Sequence, residues 1–131
     1  QAAELADKSV GDYSEHTKHL TDTLWMLLEQ SGHDVRRNGH PVHCLPNTLS
    51  VGFRNIKADE LVASLSDKVA ISAGAACHAS GVTISSVLQA MNVLHEYAMG
   101  TIRISLGRYT TLDQVHTAAQ HILSAVSKFQ T

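Results

Sequence analysis

The hexapeptide TIRISL, residues 101–106, predicts a half-buried β-strand around which the rest of the fold can be built. Apolar and polar side chains alternate along it: Ile102, Ile104 and Leu106 against Arg103 and Ser105. Because successive side chains of a strand point to opposite faces, one face of the sheet is predicted to pack on a core. On the other face, Arg103 is either a hydrated edge residue or a clamp for a carboxylate, which a guanidinium binds through two parallel hydrogen bonds.

Two further segments predict strands. TLSVGFR, residues 48–54, alternates Leu49, Val51 and Phe53 with small or polar residues, which again indicates one buried face. VAIS, residues 69–72, is a short apolar run typical of strands.

Five segments have helical patterns: 2–31, 58–67, 84–91, 95–99 and 112–129. The first has a stripe at three-, four- and seven-residue steps, formed by Tyr13, Leu20, Leu24, Leu27 and Leu28. Gly32 ends this helix, and Gly11 marks a point where it could be interrupted. The last has a similar stripe, formed by Leu112, Val115, Ala119, Ile122, Val126 and Phe129. Thr111 and Gln114 predict a capping box at its start.

Residues 33–47 and Ala73 to about Thr83 are predicted to be loops. The whole chain, residues 1–131, therefore predicts one α+β domain, with a small sheet packed on one side by long helices.

Composition excludes several classes of protein. The chain has 131 residues, of which 44% are hydrophobic and 17% charged, with a formal net charge of −2. This balance argues against disorder and against a nucleic-acid partner, and no apolar run approaches the roughly 18 residues that would suggest a membrane span. Two cysteines do not make a disulfide framework, so we expect the cytoplasm or another reducing intracellular compartment. The acidic first thirty residues resemble no targeting peptide, and the initial Gln1 suggests a processed or excised piece of a longer protein.

Cys77 lies in a stretch of small residues, SAGAACHASGVTISS, residues 72–86. It is either a small buried residue, a metal ligand or a reactive thiol. The small neighbours favour a nucleophile that must move, and His78 and the nearby helix start would favour its thiolate.

A metal site would combine His40, His43 and Cys44 with Cys77 and His78. Two of its pairs are adjacent residues, which rarely point at one ion, and there is no CxxC motif. We therefore predict no metal site.

Four blocks together resemble the C-terminal domain of the cysteine desulfurases, pyridoxal-phosphate enzymes of the class V aminotransferase family. They are CLPNTLSVGF (44–53), AISAGAACHASG (70–81), SSVLQAM (85–91) and TIRISLGRYTT (101–111). The resemblance covers essentially the whole chain. It implies a mainly antiparallel sheet packed by long N- and C-terminal helices, as in the small domain of fold-type I pyridoxal-phosphate enzymes.

The resemblance also implies roles for residues. Cys77, between Ala76 and His78 of a mobile loop, would attack the sulfur of a cysteine substrate and keep it as a persulfide for a sulfur-acceptor protein. The resemblance further implies a role in iron–sulfur cluster assembly. Arg103 would bind the substrate carboxylate, and Asn47 of the LPNT block would be structural or line the pocket.

Some features depart from the family pattern. His78 is more similar to the selenocysteine lyases of the same family, so cysteine and selenocysteine both remain candidate substrates. None of the five lysines follows a histidine, as the cofactor-binding lysine of the family does. We therefore expect a partner, the large cofactor domain, without which this chain binds no pyridoxal phosphate tightly and is inactive. The alternative function is that of a non-catalytic, sulfur-accepting module. The chain could also form a homodimer.

Overall fold

The computed structural model describes residues 1–74, 76–78 and 81–130, with the backbone alone at 76–78, 81 and 82. In chain order the elements of these residues are α1 (Ala2–Glu29), β1 (Val35–Arg37), β2 (Thr48–Phe53), α2 (Ala58–Ser64), β3 (Ser72–Ala73), β4 (Ala76–His78), β5 (Gly81–Thr83), α3 (Ser86–Ala90), α4 (His95–Ala98), β6 (Thr101–Ser105) and α5 (Leu112–Phe129). The predicted α+β class is confirmed. No helix in the described part of the chain combines the length and the hydropathy that a membrane crossing needs.

Four strands form one antiparallel sheet in the order β1–β2–β6–β3. The TIRISL strand, β6, lies between β2 and β3, so that Ile102 faces Val51 on one side and Ala73 on the other. The predicted alternation is confirmed, since Ile102 and Ile104 are buried and Arg103 is exposed. The alternation requires one buried face, and the pairing with two neighbouring strands is a finding of the structure.

The core lies between the sheet and the two long helices. It is one cluster, in which the largest side chains are Phe53, Leu20, Leu24, Leu28, Leu49, Leu61, Leu65, Ile102 and Ile122. Each buried side chain of this size stabilises the fold by roughly 1.5–3 kcal/mol. The two helical stripes therefore cover one face of the sheet.

The ends of α5 differ in burial from its middle. The predicted capping box is present: Gln114 N–H donates to the Thr111 hydroxyl at 3.3 Å, and Thr111 N–H donates to the Gln114 side chain at 3.0 Å. Leu112 and Phe129 at the two ends are exposed, so the predicted stripe is buried only between Val115 and Val126.

Three local predictions are corrected. Helix α1 continues through Gly11, because the backbone hydrogen bonds of a helix do not need a side chain. A Cβ at Gly11 would have no neighbour within 4 Å. The predicted connection 33–47 contains β1, whose residues Val-Arg-Arg show no apolar pattern and form a strand only by pairing with β2. The predicted strand 69–72 begins only at Ser72, where pairing with β6 starts.

Candidate active site

Arg103 projects from the face of the sheet opposite to the core. In the cross-strand register it lies opposite Ser50 of β2 on one side and Ser72 of β3 on the other. Its neighbours along β6 turn inward, so the guanidinium is left on the solvent side. The structure thus surrounds its backbone position with two short hydroxyl side chains.

A pocket of about 280 Å³ lies over this face of the sheet. Arg103 and Ser50 line it from the strands, and Val87 and Met91 line it from the α3 side. The lining contains no acidic residue, and within the described residues Arg103 makes no ion pair. A guanidinium without a carboxylate partner, beside an apolar wall, is suited to binding a small carboxylate ligand.

One amide organises the polar floor of this pocket. The Asn38 side-chain NH₂ donates to the hydroxyls of both Ser50 and Thr101, each at 3.2 Å. Thr101 donates in turn to the carbonyl of Tyr97 at 2.9 Å. Sequence reasoning missed Asn38 and Ser50, because their relation to Arg103 depends on strand register and on the path of residues 33–47. The outward position of Ser50 in TLSVGFR was the one available signal.

Cys77 lies in β4, which pairs with β5 in a second, two-stranded antiparallel sheet. It is opposite Val82, and Ala76 and His78 flank it in the same strand. The prediction of a loop throughout residues 73–83 is therefore wrong, since it weighed the small residues above the β-branched Val82, which favours a strand. The side chains of Ala76, Cys77 and His78 lie outside the described residues, so their roles stay predictions.

Gly74 anchors the segment that leads to Cys77. Its N–H donates to the Thr101 carbonyl at 2.6 Å, and a Cβ at Gly74 would lie 2.6 Å from Cγ2 of Thr101. Gly74 also lines the Arg103 pocket. Because a chain extends at most about 3.6 Å per residue, the Cα of Cys77 lies within about 11 Å of that of Gly74. The backbone of Cys77 is therefore within about 11 Å of a residue that lines the pocket.

Asn47 lies away from this pocket. Its side-chain NH₂ donates to the Tyr13 hydroxyl at 3.0 Å, and its side-chain oxygen accepts from the Thr48 hydroxyl at 3.1 Å. Its carbonyl accepts from Leu106 N–H at 2.8 Å. These bonds tie α1 to the ends of β2 and β6, and the role of Asn47 in the site stays a prediction. The structure does not bring Asn47 together with Arg103.

The segment His40–Cys44 satisfies its own polar groups. His40 Nδ1 accepts from the backbone N–H groups of Val42 and His43 at 3.1 and 2.9 Å. The exposed thiol of Cys44 accepts a 3.7 Å hydrogen bond from Arg37. No three His, Cys, Asp or Glu side chains converge on a metal position in the part of the chain that was described above. The metal site considered from the sequence also needs Cys77 and His78, whose side chains lie outside the described residues.

A charged cluster holds α4 against the sheet. Asp34 accepts a 2.7 Å hydrogen bond from the Tyr97 hydroxyl and forms an ion pair with Arg54 at 3.4 Å. Arg54 also forms an ion pair with Glu96 at 3.2 Å. The Arg36 guanidinium lies 4.3 Å from the centre of the Tyr97 ring. The Tyr97 hydrogen bond, followed by that from Arg54, lowers the pKa of Asp34, and the same Asp34 bond raises the pKa of Tyr97. The cluster fixes Tyr97, whose carbonyl supports Thr101 under the pocket.

This fold is that of the class V aminotransferases, and the chain belongs to their family: the family model described as Aminotransferase class-V matches residues 2–117. Among individual proteins, it is 35% identical over 130 residues to the cysteine desulfurase IscS of Acinetobacter baumannii strain AYE. It is 31% identical over 130 residues to the cysteine desulfurase IscS of Proteus mirabilis strain HI4320. Both alignments cover 99% of this chain and 32% of the relative. The chain thus spans about a third of the length of these relatives.

Solved structures show the same architecture. A structure described as a NifS-like protein superposes with a TM-score of 0.80 and 30% identity, over 95% of this chain and 31% of that one. The NifS-like protein of Rickettsia africae ESF-5 gives a TM-score of 0.77 at 23% identity, over 94% of this chain and 31% of that one. At that identity the second match supports the fold alone.

The described residues do not fit a pyridoxal-phosphate site by themselves. The cofactor needs a lysine beside its aldehyde, and none of the five lysines lines the Arg103 pocket: Lys8, Lys18, Lys57, Lys68 and Lys128. Lys18 and Lys57 instead pair with Asp22 and Glu60 on exposed helix surfaces. No reaction step on the cofactor is therefore derived from this chain.

Proposed function

We propose that this chain is the small domain of a pyridoxal-phosphate-dependent cysteine desulfurase. It supplies Arg103 and Cys77 to an active site that residues of the large domain complete. The observation that carries the proposal is the pocket itself: an arginine without an ion-pair partner in the described residues lines it, and so does Gly74, an anchored residue three positions before Cys77. The similarity to proteins named cysteine desulfurase supports the same function.

Arg103 binds the carboxylate of L-cysteine in this proposal. A bidentate pair fixes both the position and the plane of the carboxylate, and thereby directs the rest of the amino acid. The apolar wall at Val87 and Met91 excludes water from one side of the pair, which strengthens it.

Cys77 acts as the nucleophile. Its thiolate attacks the sulfur of the bound cysteine, so that an S–S bond forms as the C–S bond breaks, and the Cβ left behind takes a proton. The products are L-alanine and a Cys77 persulfide, and no external oxidant or reductant is consumed. Pyridoxal phosphate, held by residues of the large domain, would supply the electron sink for the C–S cleavage. The persulfide then passes its outer sulfur to the thiol of an acceptor protein.

The test measures alanine release and persulfide formation from L-cysteine and pyridoxal phosphate, with and without a separately expressed large domain. We expect Cys77→Ser to abolish both products and Cys44→Ser, the matched control, to retain both. Persulfide mapped to Cys77 by mass spectrometry supports the proposal. Alanine release that survives Cys77→Ser contradicts it, and so does a Cys77 that accepts sulfur from a persulfide donor but never from L-cysteine. The latter result identifies a non-catalytic sulfur-accepting module.

A selenocysteine lyase is the second candidate, and His78 directly after Cys77 is the feature that favours it. The two enzymes differ in the ratio of kcat/KM for L-selenocysteine and L-cysteine. A ratio that falls to the desulfurase range in His78→Ser assigns the preference to His78, and an unchanged ratio removes this argument.

A further inference from the structure

We propose that Ser50 is a second carboxylate-binding residue of this site, and that Asn38 orients it. The inference rests on the proposed function, because it names a further contact to the carboxylate that Arg103 binds. Two hydroxyl residues lie in register with Arg103, namely Ser50 and Ser72. Of these two, only Ser50 also lines the pocket.

The spacing of the sheet places Ser50 and Arg103 close together. Residues directly opposite each other in an antiparallel pair have Cα atoms about 4.5–5.5 Å apart and side chains on the same face. The Ser50 hydroxyl therefore lies beside the base of the Arg103 side chain, and both residues line the pocket. A carboxylate in the guanidinium fork keeps lone pairs for one further donor.

The proton of the Ser50 hydroxyl is available to donate a hydrogen bond to a ligand. A hydroxyl has one donor and two acceptor positions. Ser50 Oγ accepts from Asn38 at 3.2 Å, and within the described residues no hydrogen bond uses the Ser50 proton. Thr101 accepts from the same amide, but its proton is committed to the Tyr97 carbonyl. Ser50 is thus the hydroxyl of this pair that can donate into the pocket.

Asn38 fixes the direction of that donor. Its backbone N–H donates to the Ser50 carbonyl at 2.9 Å, and its side-chain NH₂ donates to the Ser50 hydroxyl oxygen at 3.2 Å. With one lone pair of the oxygen engaged there, the proton points elsewhere. Asn38 is therefore a positioning residue, and Ser50 makes the contact.

The kinetic test uses the active enzyme that contains this chain. We expect Ser50→Ala to raise the KM for L-cysteine about tenfold with kcat unchanged, as for a lost hydrogen bond to a charged group that is equally strong in ground and transition states. Ser50→Thr retains a hydroxyl and should stay within about twofold of the wild type. Asn38→Ala should raise the KM about threefold, because the Ser50 hydroxyl remains but rotates freely.

Ser105→Ala is the matched control. Ser105 lies on the same outward face of β6 but opposite Thr48, and does not line the pocket. A KM at the wild-type value in Ser105→Ala and a raised KM in Ser50→Ala support the proposal. Equal KM values in the wild type and Ser50→Ala, or equal increases in both serine variants, overturn it.

A second measurement separates this inference from the proposed function. The ¹⁵N-labelled chain is titrated with L-alanine, and the Arg103 side-chain Nε–H resonance reports binding. We expect Ser50→Ala to raise the Kd for L-alanine about tenfold and Ser105→Ala to leave it unchanged. If the enzyme releases no alanine but Ser50→Ala still weakens this Kd, the proposed function fails and the Ser50 contact stands. If alanine is released and Ser50→Ala changes neither KM nor Kd, the Ser50 contact fails alone.

Discussion

The amide of Gly74 donates a 2.6 Å hydrogen bond to the carbonyl of Thr101, where the Arg103 pocket meets the segment that leads to Cys77. The two backbones approach so closely because Gly74 has no side chain. The contact joins the end of β3 to the start of β6, and fixes one end of the segment that carries the proposed nucleophile.

Gly74→Ala tests this contact. The new Cβ would lie 2.6 Å from Cγ2 and 3.1 Å from the carbonyl oxygen of Thr101. Relieving these overlaps requires a backbone shift, so we expect the free energy of unfolding to fall by about 1–3 kcal/mol. Urea denaturation measures the change. Gly11→Ala is the control, since its Cβ meets nothing within 4 Å inside a helix, and it should raise stability by about 0.5–1 kcal/mol. Equal stabilities of the wild type and Gly74→Ala would refute the close approach.

Arg103→Lys separates charge from geometry. Lysine keeps the positive charge but loses the planar fork, so we expect the KM for L-cysteine to rise about tenfold or more. Stability should change little, because Arg103 is exposed and the ion pairs of the described residues do not include it. Steady-state kinetics and thermal melting report the two effects. Arg108→Lys, an exposed arginine that bonds Ser9 away from the pocket, is the control. A KM that remains at the wild-type value in Arg103→Lys would show that Arg103 does not clamp the carboxylate.

Asp34 predicts an acid-dependent part of the stability. The Tyr97 hydrogen bond and Arg54 lower its pKa in the folded protein below the ordinary value of 3.8. A lowered acid pKa contributes stability that is complete above 3.8 and is lost as the pH falls through the folded-state pKa. We therefore expect the free energy of unfolding to fall less steeply below about pH 4 in Asp34→Asn than in the wild type. Asp7→Asn, an exposed acid of α1, controls for the loss of one charge. Parallel pH profiles for the wild type and Asp34→Asn would contradict the prediction.

Exposed apolar side chains predict self-association of this chain. Val87, Met91 and Leu94 are 63%, 41% and 53% exposed. Val87 and Met91 line the Arg103 pocket, and Met91 together with Leu94 lines a second depression on the surface. We expect dimers or weak oligomers at high concentration, seen by sedimentation velocity, because contact between copies removes this surface from water. Leu94→Glu should weaken the association, and Leu5→Glu, at a separate exposed leucine of α1, should not. A monomer at every concentration would refute this expectation.

The sequence by itself determined the features that depend on neighbours in the chain. The alternation in TIRISL placed Arg103 on the outer face, the helical stripes located α1 and α5, and Thr111 with Gln114 marked a helix start that the structure confirms. Apolar residues repeat every two residues in a strand and every three to four in a helix, so their spacing indicates directly which face is buried.

Only the tertiary structure decided which strands are neighbours, and at which register. It placed Ser50 opposite Arg103, brought Asn38 from the connection 33–47 to the Ser50 hydroxyl, and turned Asn47 toward Tyr13. It also formed β1 and the β4–β5 pair, whose residues carry weak local signals. Strand pairing joins residues far apart in the chain, and a shift of one residue reverses the face of every side chain. No local pattern specifies that choice, which the packing of the whole core makes.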